Sequence, residues 1–274
     1  MTVRYPRSTL EPDLPAPAQP ASIELEGVSM AYPLDDGGVL RALERVDLHV
    51  SASRFCSIVG PSGCGKSTLL MLVAGLYRPT AGRIRIDGRP VDGPCRDVGM
   101  VFQRDVLLDW RTVLNNVLLP IEVKRLPVSR YRERARALLD LVGLADFAGA
   151  YPDQLSGGMR QRVAICRALI HDPALLLMDE PFAAVDALTR EKLNGDLLRL
   201  TTESPKTIVF VTHSIEEAVM LADQVVIMGP RPATVLRTLS IDIPRPRGMA
   251  TREDPRFHTV VGEIRAVFHT MGLL

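Results

Sequence analysis

Long apolar runs are missing from this chain. Leu69–Leu76 is among the longest, far short of the ~20 residues that a membrane-spanning helix needs. The opening residues Met1–Leu14 hold no apolar stretch of the secretory kind. A soluble chain is therefore expected, one that acts at a membrane only through a partner. An excess of charge of one sign is missing too. Thirty-three Lys and Arg stand against 32 Asp and Glu, a formal net charge of +1. That leaves no global field for nucleic acid. Cysteine is sparse: Cys56, Cys64, Cys95 and Cys166, with no pair at C-x-x-C spacing. A secreted disulfide framework and a C-x-x-C metal site are excluded, and free thiols in a reducing cytoplasm are expected. No internal repeat occurs. What remains is an ordinary globular composition, with length for one large α/β domain or one domain with an insert.

Five prolines between Pro6 and Pro20 leave little to build a core, so residues 1–21 read as a mobile tail. Ile23-Glu24-Leu25-Glu26 alternates as a strand does, and Asp36-Gly37-Gly38 is a turn signal before the run Val39–Val50. Phe55–Val59 is a short, mostly apolar run that fits a buried strand. A helix is expected over Lys66–Leu76. Further strands are expected over Arg83–Asp87, Val98–Phe102, Ala174–Met178, Thr207–Thr212 and Gln224–Met228. Between Gln103 and Leu155 helical patterns dominate. In Ser129–Leu141 Arg and Glu cover one face and Ala135, Leu138 and Leu139 the other. Strands alternating with helices indicate a mainly parallel sheet. Phe257, Val260, Val261, Ile264, Val267, Phe268 and Met271 form the stripe of a last helix, expected to pack on its own domain.

Residues 60–68 read Gly60-Pro61-Ser62-Gly63-Cys64-Gly65-Lys66-Ser67-Thr68, which fits G-x-x-x-x-G-K-[ST] between a strand and a helix. Glycines let the backbone curl until successive N–H groups face phosphate oxygens. The following helix turns its positive end to the same anion. Lys66 would reach the β- and γ-phosphates, and Ser67 would place its hydroxyl on Mg²⁺. Cys64 sits inside this loop, so a bulky thiol reagent is expected to block ATP binding there.

Leu175–Met178 ends in Asp179-Glu180. Strand ends on one edge of a parallel sheet gather where ligands bind. Asp179 is thus a candidate for Mg²⁺, and Glu180 for the base that aligns the attacking water. His213 follows Thr207–Thr212 at the same edge and is a candidate for the γ-phosphate, though a lone histidine is more often structural.

The run Leu155-Ser156-Gly157-Gly158-Met159-Arg160-Gln161-Arg162 resembles the LSGGQ signature of the ABC-type ATPases, with methionine in its fifth place. The resemblance covers about Ile23 to Gly229. Ser156, Gly157 and Gly158 open a helix that runs to about Ile170, a second helix start suited to an anion. The resemblance implies a P-loop NTPase fold of the ABC-ATPase kind: a mainly parallel sheet core, an antiparallel β subdomain and an inserted helical subdomain. It implies an ATPase domain over 22–235, with the insert at about 104–160, and a C-terminal extension over 236–274 bearing an amphipathic helix. It implies a homodimer packed head to tail, each Ser-Gly-Gly completing the other chain's ATP site. Tyr32 resembles the aromatic that stacks on adenine. Gln103 resembles the glutamine that contacts Mg²⁺ and water and faces the membrane subunit. Asp186 resembles the D-loop aspartate, and His213 the switch histidine. Ala183 and Asp109 depart from the family pattern, where glycine and proline are commoner.

Leu107–Val117 and Phe182–Arg190 are most similar to ATPases that power import of nitrate, sulfonate and taurine, with relatives for bicarbonate and pyrimidine precursors. That implies an integral membrane permease as partner, an extracytoplasmic solute-binding protein reached indirectly, and a peripheral place on the cytoplasmic face of the cell membrane. A DNA-repair ATPase of the same superfamily would carry a long coiled coil, and here no heptads are sustained. A translation ATPase would fuse two such domains, and here one P-loop occurs. A regulator without turnover would have a damaged site, and Lys66, Asp179, Glu180 and His213 are all present.

Overall fold

The computed structural model describes residues 18–272 apart from 184, 204 and 205, and at 199–203 and 249 the backbone alone. Residues 1–17 of the expected tail lie outside the described residues. Two long strands, β1 (Ile23–Pro33) and β2 (Val39–Val50), form a hairpin around the turn at Gly37, whose φ of 82° favours glycine. With β4 (Ala81–Ile86) and the short β5 (Arg89–Pro90) they make an antiparallel sheet of order β2-β1-β4-β5. In β1 the residues Ile23, Leu25, Val28 and Met30 turn inward. On the outer side Glu26 pairs with Arg83 and Arg85 of β4.

The second sheet has the order β10-β9-β3-β8-β7-β6. Its members β3 (Phe55–Val59), β6 (Val98–Val101), β7 (Leu175–Asp179), β8 (Thr207–Val211) and β9 (Gln224–Met228) run parallel. Every residue of β3, β7 and β8 is buried, as apolar runs in a parallel sheet covered on both faces require. β10 (Val235–Ser240) pairs antiparallel on the edge. The sequence does not predict β10: its residues are mostly exposed and carry no apolar alternation.

Alternation along the strands divides the core into two layers. Cys56, Ile58, Leu175, Leu177, Val209 and Val211 face helix α1 (Lys66–Val73) and the antiparallel sheet. Phe55, Val59, Leu176, Met178, Ile208 and Phe210 face the other way. On that side lie α2 (Val113–Val123), α3 (Val128–Leu141), α4 (Gly157–Leu169), α5 (Ala187–Glu203) and α6 (Ile215–Leu221). Asn116 of α2 is fully buried. Its amide bonds the carbonyls of Leu108, Arg111 and Thr112 and accepts from the N–H of Leu108, which pins the segment that carries Asp109 and Trp110. Trp110 itself is 75% exposed.

The last helix, α7 (Pro255–Thr270), buries Phe257, Val261, Ile264 and Phe268 and packs on α6. The segment before it is clamped by two arginines. Arg245 bonds the Asp223 carboxylate and the Leu221 carbonyl. Arg247 is 7% exposed and donates to the carbonyls of Val219, Met220, Ala222, Ile241 and Ile243. Burial, and next the neighbouring Arg245, pull its pKa down to about 10. The guanidinium thus caps the carbonyl end of α6 and ties the C-terminal segment to it. Arg247→Met keeps the apolar stem but leaves these carbonyls unpartnered. It is expected to cost about 2–4 kcal/mol, read as a lower urea midpoint at unchanged m. An unshifted midpoint would mean that water reaches them.

Candidate active site

The parallel strands bring four segments to one edge of the sheet. They follow β3, β6, β7 and β8, and begin at Gly60, Phe102, Glu180 and Thr212. The loop after β3 is a backbone cradle. Gly65, with φ 125°, caps α1; a Cβ there would sit 2.9 Å from Leu43 Cδ2 and 3.1 Å from the Ala42 carbonyl. A Cβ on Gly60 would lie 2.9 Å from the Met228 carbonyl. Both positions therefore demand glycine. Lys66 is buried at the start of α1, and its ammonium arches back to the carbonyls of Gly60 and Pro61 at 2.9 and 2.8 Å. A cation is thus held against the carbonyls of the loop.

Asp179 closes β7 and is 4% exposed, with its Oδ1 buried and without a hydrogen-bond partner. Burial raises its pKa; the Ser67 hydroxyl beside it lowers it, Glu180 raises it and Lys66 lowers it. Ser67 and Asp179 are thus neighbours across the cradle. Glu180 takes a left-handed φ of 44°, and its N–H donates to the Val211 carbonyl at 3.0 Å. That turn sets its side chain between two neighbours. Gln103 Nε2 lies 3.5 Å and His213 Nδ1 3.4 Å from the same Glu180 Oε2. Tyr32, at the end of β1, has its hydroxyl 3.4 Å from Thr68 Oγ1 and its ring edge-on to Tyr77.

A family model described as ABC transporter matches residues 43–183. An uncharacterised ABC transporter ATP-binding protein of Methanocaldococcus jannaschii is 48% identical over 218 residues, 80% of this chain and 82% of the relative. The taurine import ATP-binding protein TauB of Ruegeria pomeroyi is 45% identical over 215 residues, 78% of this chain and 80% of the relative. That of Rhizobium johnstonii is 42% identical over 253 residues, 90% of this chain and 97% of the relative. Among solved structures, the ATP-binding cassette MJ0796, a dimer in a post-hydrolysis state bound to ADP and Pi, superposes with a TM-score of 0.74. It is 36% identical, over 81% of this chain and all of that one. The chain belongs to the ABC transporter family. The α/β cassette fold expected from the signature is the fold observed.

In this ABC ATPase the Ser-Gly-Gly element stands apart from the cradle. Ser156 caps α4 by accepting the Met159 N–H at 3.3 Å, and Gly158 lies against Val185. Among the described residues, none of Ser156, Gly157 and Gly158 shares a hydrogen bond with residues 60–68. Asp186 is exposed, and its carboxylate accepts the Thr189 N–H at 3.0 Å. The Thr189 backbone and side-chain bonds hold its pKa down. Helix α4 also grips the segment that carries Gln103. Gln161 donates to the Phe102 carbonyl at 3.1 Å, Arg160 to the Asp105 carboxylate at 2.9 Å, and Arg167 to the Asp105 and Val106 carbonyls at 2.7 Å. Sequence reasoning misses these three residues. Arg160 and Gln161 stand in the signature run, but nothing local marks Phe102 or Asp105 as their partners.

Cys64 is more enclosed than its place in the loop implies. Its thiol is 1% exposed and packs in the core layer that holds Met228, so this residue offers the cradle only its backbone. Burial pushes the thiol pKa up, against the smaller pull of Lys66. N-ethylmaleimide on the native chain is expected to leave Cys64 unlabelled by peptide mass spectrometry and to label it after unfolding. Rapid native labelling with loss of ATP affinity would restore the first expectation.

Proposed function

We propose that this chain is the ATP-hydrolysing subunit that powers import of a small solute of the nitrate, sulfonate or taurine kind through a separate integral membrane permease. The observation that carries the reading is 42–45% identity, over 78–90% of this chain, to proteins named for taurine import. An extracytoplasmic solute-binding protein would deliver the solute, so its link to this chain is indirect. No nucleic acid takes part. No helix among the described residues is long and apolar enough to cross a membrane. The chain is read as a peripheral subunit on the cytoplasmic face of the cell membrane.

In this reading ATP phosphates lie in the loop of Gly60, Pro61, Ser62, Gly63, Cys64 and Gly65, whose backbone N–H groups, Pro61 having none, would face the phosphate oxygens. The Lys66 ammonium exchanges the Gly60 and Pro61 carbonyls for phosphate oxygens. Tyr32 stacks on adenine. Glu180 orients the attacking water and accepts its proton. His213 holds the γ-phosphate and steadies the Glu180 carboxylate, and Gln103 contacts the attacking water and the same carboxylate from the other side.

The orphaned Oδ1 of Asp179 beside the Ser67 hydroxyl fits Mg²⁺, with Gln103 as a further ligand. Among the described residues no three His, Cys, Asp or Glu side chains gather to hold a metal by themselves. That suits Mg²⁺, which leans on few protein carboxylates plus phosphate and water. The bound ion would neutralise charge on the phosphates. Ser156, Gly157, Gly158 and Asp186 would close on the ATP of a second copy. ATP binding then draws two copies together, and hydrolysis releases them.

Glu180→Gln is expected to bind Mg-ATP, to lose turnover by about 10²–10³-fold and to accumulate as a dimer in light scattering. A monomer at saturating Mg-ATP would count against the shared site. Lys66→Ala is expected to lose turnover through loss of phosphate binding; wild-type hydrolysis would overturn its assignment. Affinity capture of the chain from gently solubilised native membranes should bring down a multi-span permease. Ribosomes or DNA-repair proteins without a permease would leave the ATPase and remove the importer.

A further inference from the structure

Glu217 is a buried acidic side chain with no part in the chemistry above. It stands in the first turn of α6 and is 8% exposed. Its Oε2 accepts from the Thr212 hydroxyl, and its Oε1 accepts from the Asn194 amide at 3.2 Å. Thr212 is 1% exposed, and its oxygen accepts the Ser214 N–H at 3.0 Å. The Ser214 hydroxyl in turn accepts the Glu217 N–H at 3.3 Å. These bonds close a ring around residues 212–214, and His213 is the residue in its middle.

His213 depends on such a frame. Its side chain is 59% exposed, and its contact with Glu180 is long, at 3.4 Å. An exposed imidazole held by one long hydrogen bond turns easily, so its placement rests on its backbone. The ring fixes that backbone on both sides. Asn194 belongs to α5, the helix that starts directly after Asp186, so the same carboxylate ties the turn after β8 to the helix behind the Asp186 loop.

We propose that Glu217 is a positioning residue for hydrolysis, which sets His213 against Glu180 by locking the 212–214 turn and anchoring it to α5. The inference rests on the roles read for Glu180 and His213 above. The site needs an acceptor at 217. The Thr212 oxygen is already taken by the Ser214 N–H, so its proton points at Glu217, and Asn194 also presents a donor. A glutamine at 217 would keep one oxygen for Thr212 and turn its amide to Asn194. Asn194 could then reverse and accept through its Oδ1, an atom that is buried and unpartnered in the present arrangement. Alanine at 217 would leave both donors buried and unsatisfied.

The test is steady-state ATP hydrolysis by the purified full chain, below the lowest melting temperature of the set. The set is E217A, E217Q, T212V, H213A and the double variant H213A/E217A. T212V removes the hydroxyl at constant shape and carries the test should E217A fail to fold. Expected is a kcat lower by about tenfold or more in E217A and T212V with KM for ATP within about twofold, and E217Q within about threefold of wild type. In the H213A background, E217A should cost no more than about twofold, because nothing remains to be positioned. Near-wild-type kcat in T212V and E217A, or an equal loss with and without His213, overturns the inference alone. Wild-type kcat in H213A removes the role read for His213, and the inference falls with it.

Discussion

The chemistry of this molecule depends on β3, β7 and β8 having no solvent face. Their backbones must be paired on both edges and covered on both sides, and neighbours that run parallel need a crossover for every step. Each crossover returns the chain to the same end of the sheet. The segments that begin at Gly60, Phe102, Glu180 and Thr212 are therefore neighbours by construction. Residues 77 positions apart in sequence, Gln103 and Glu180, come within reach of one hydrogen bond.

Charge is balanced unevenly at that edge. Lys66 is satisfied by two loop carbonyls. Asp179 is not satisfied: one oxygen is buried without a partner, and burial followed by the adjacent Glu180 disfavours its ionised form. The first arrangement neutralises a buried cation with dipoles; the second leaves a buried carboxylate oxygen uncompensated. The polar framework around them is more complete. Glu180 is tied to Val211 by its backbone, and Thr212, Ser214 and Glu217 bond one another. The groups read as reactive are the loosely held ones, on a tightly bonded support.

Much of this was legible in the sequence, because local patterns carry it. Apolar runs of about five residues that end in Gly60 and in Asp179-Glu180 mark parallel strands and their loops. Gly65 is readable from the spacing of its motif, and its φ of 125° with the nearness of Leu43 gives the physical reason. What stayed hidden are pairings between distant segments. The grip of Gln161, Arg160 and Arg167 on residues 102–106, and that of Arg247 on the end of α6, leave no periodic trace. Cys64 shows the same limit within a motif. The spacing puts its backbone in the cradle, while the direction of its thiol is set by packing near Met228. β10 escaped because an exposed edge strand needs no alternation.

The single tryptophan of the chain is Trp110, and it stands in water on the segment that Asn116 pins. An indole in that setting emits as a solvated fluorophore, open to collisional quenchers. Covering it would shift its emission to shorter wavelength and shield it from them. The chain thus carries a native optical reporter at one fixed spot of the helical layer. It responds when that spot is covered or moves.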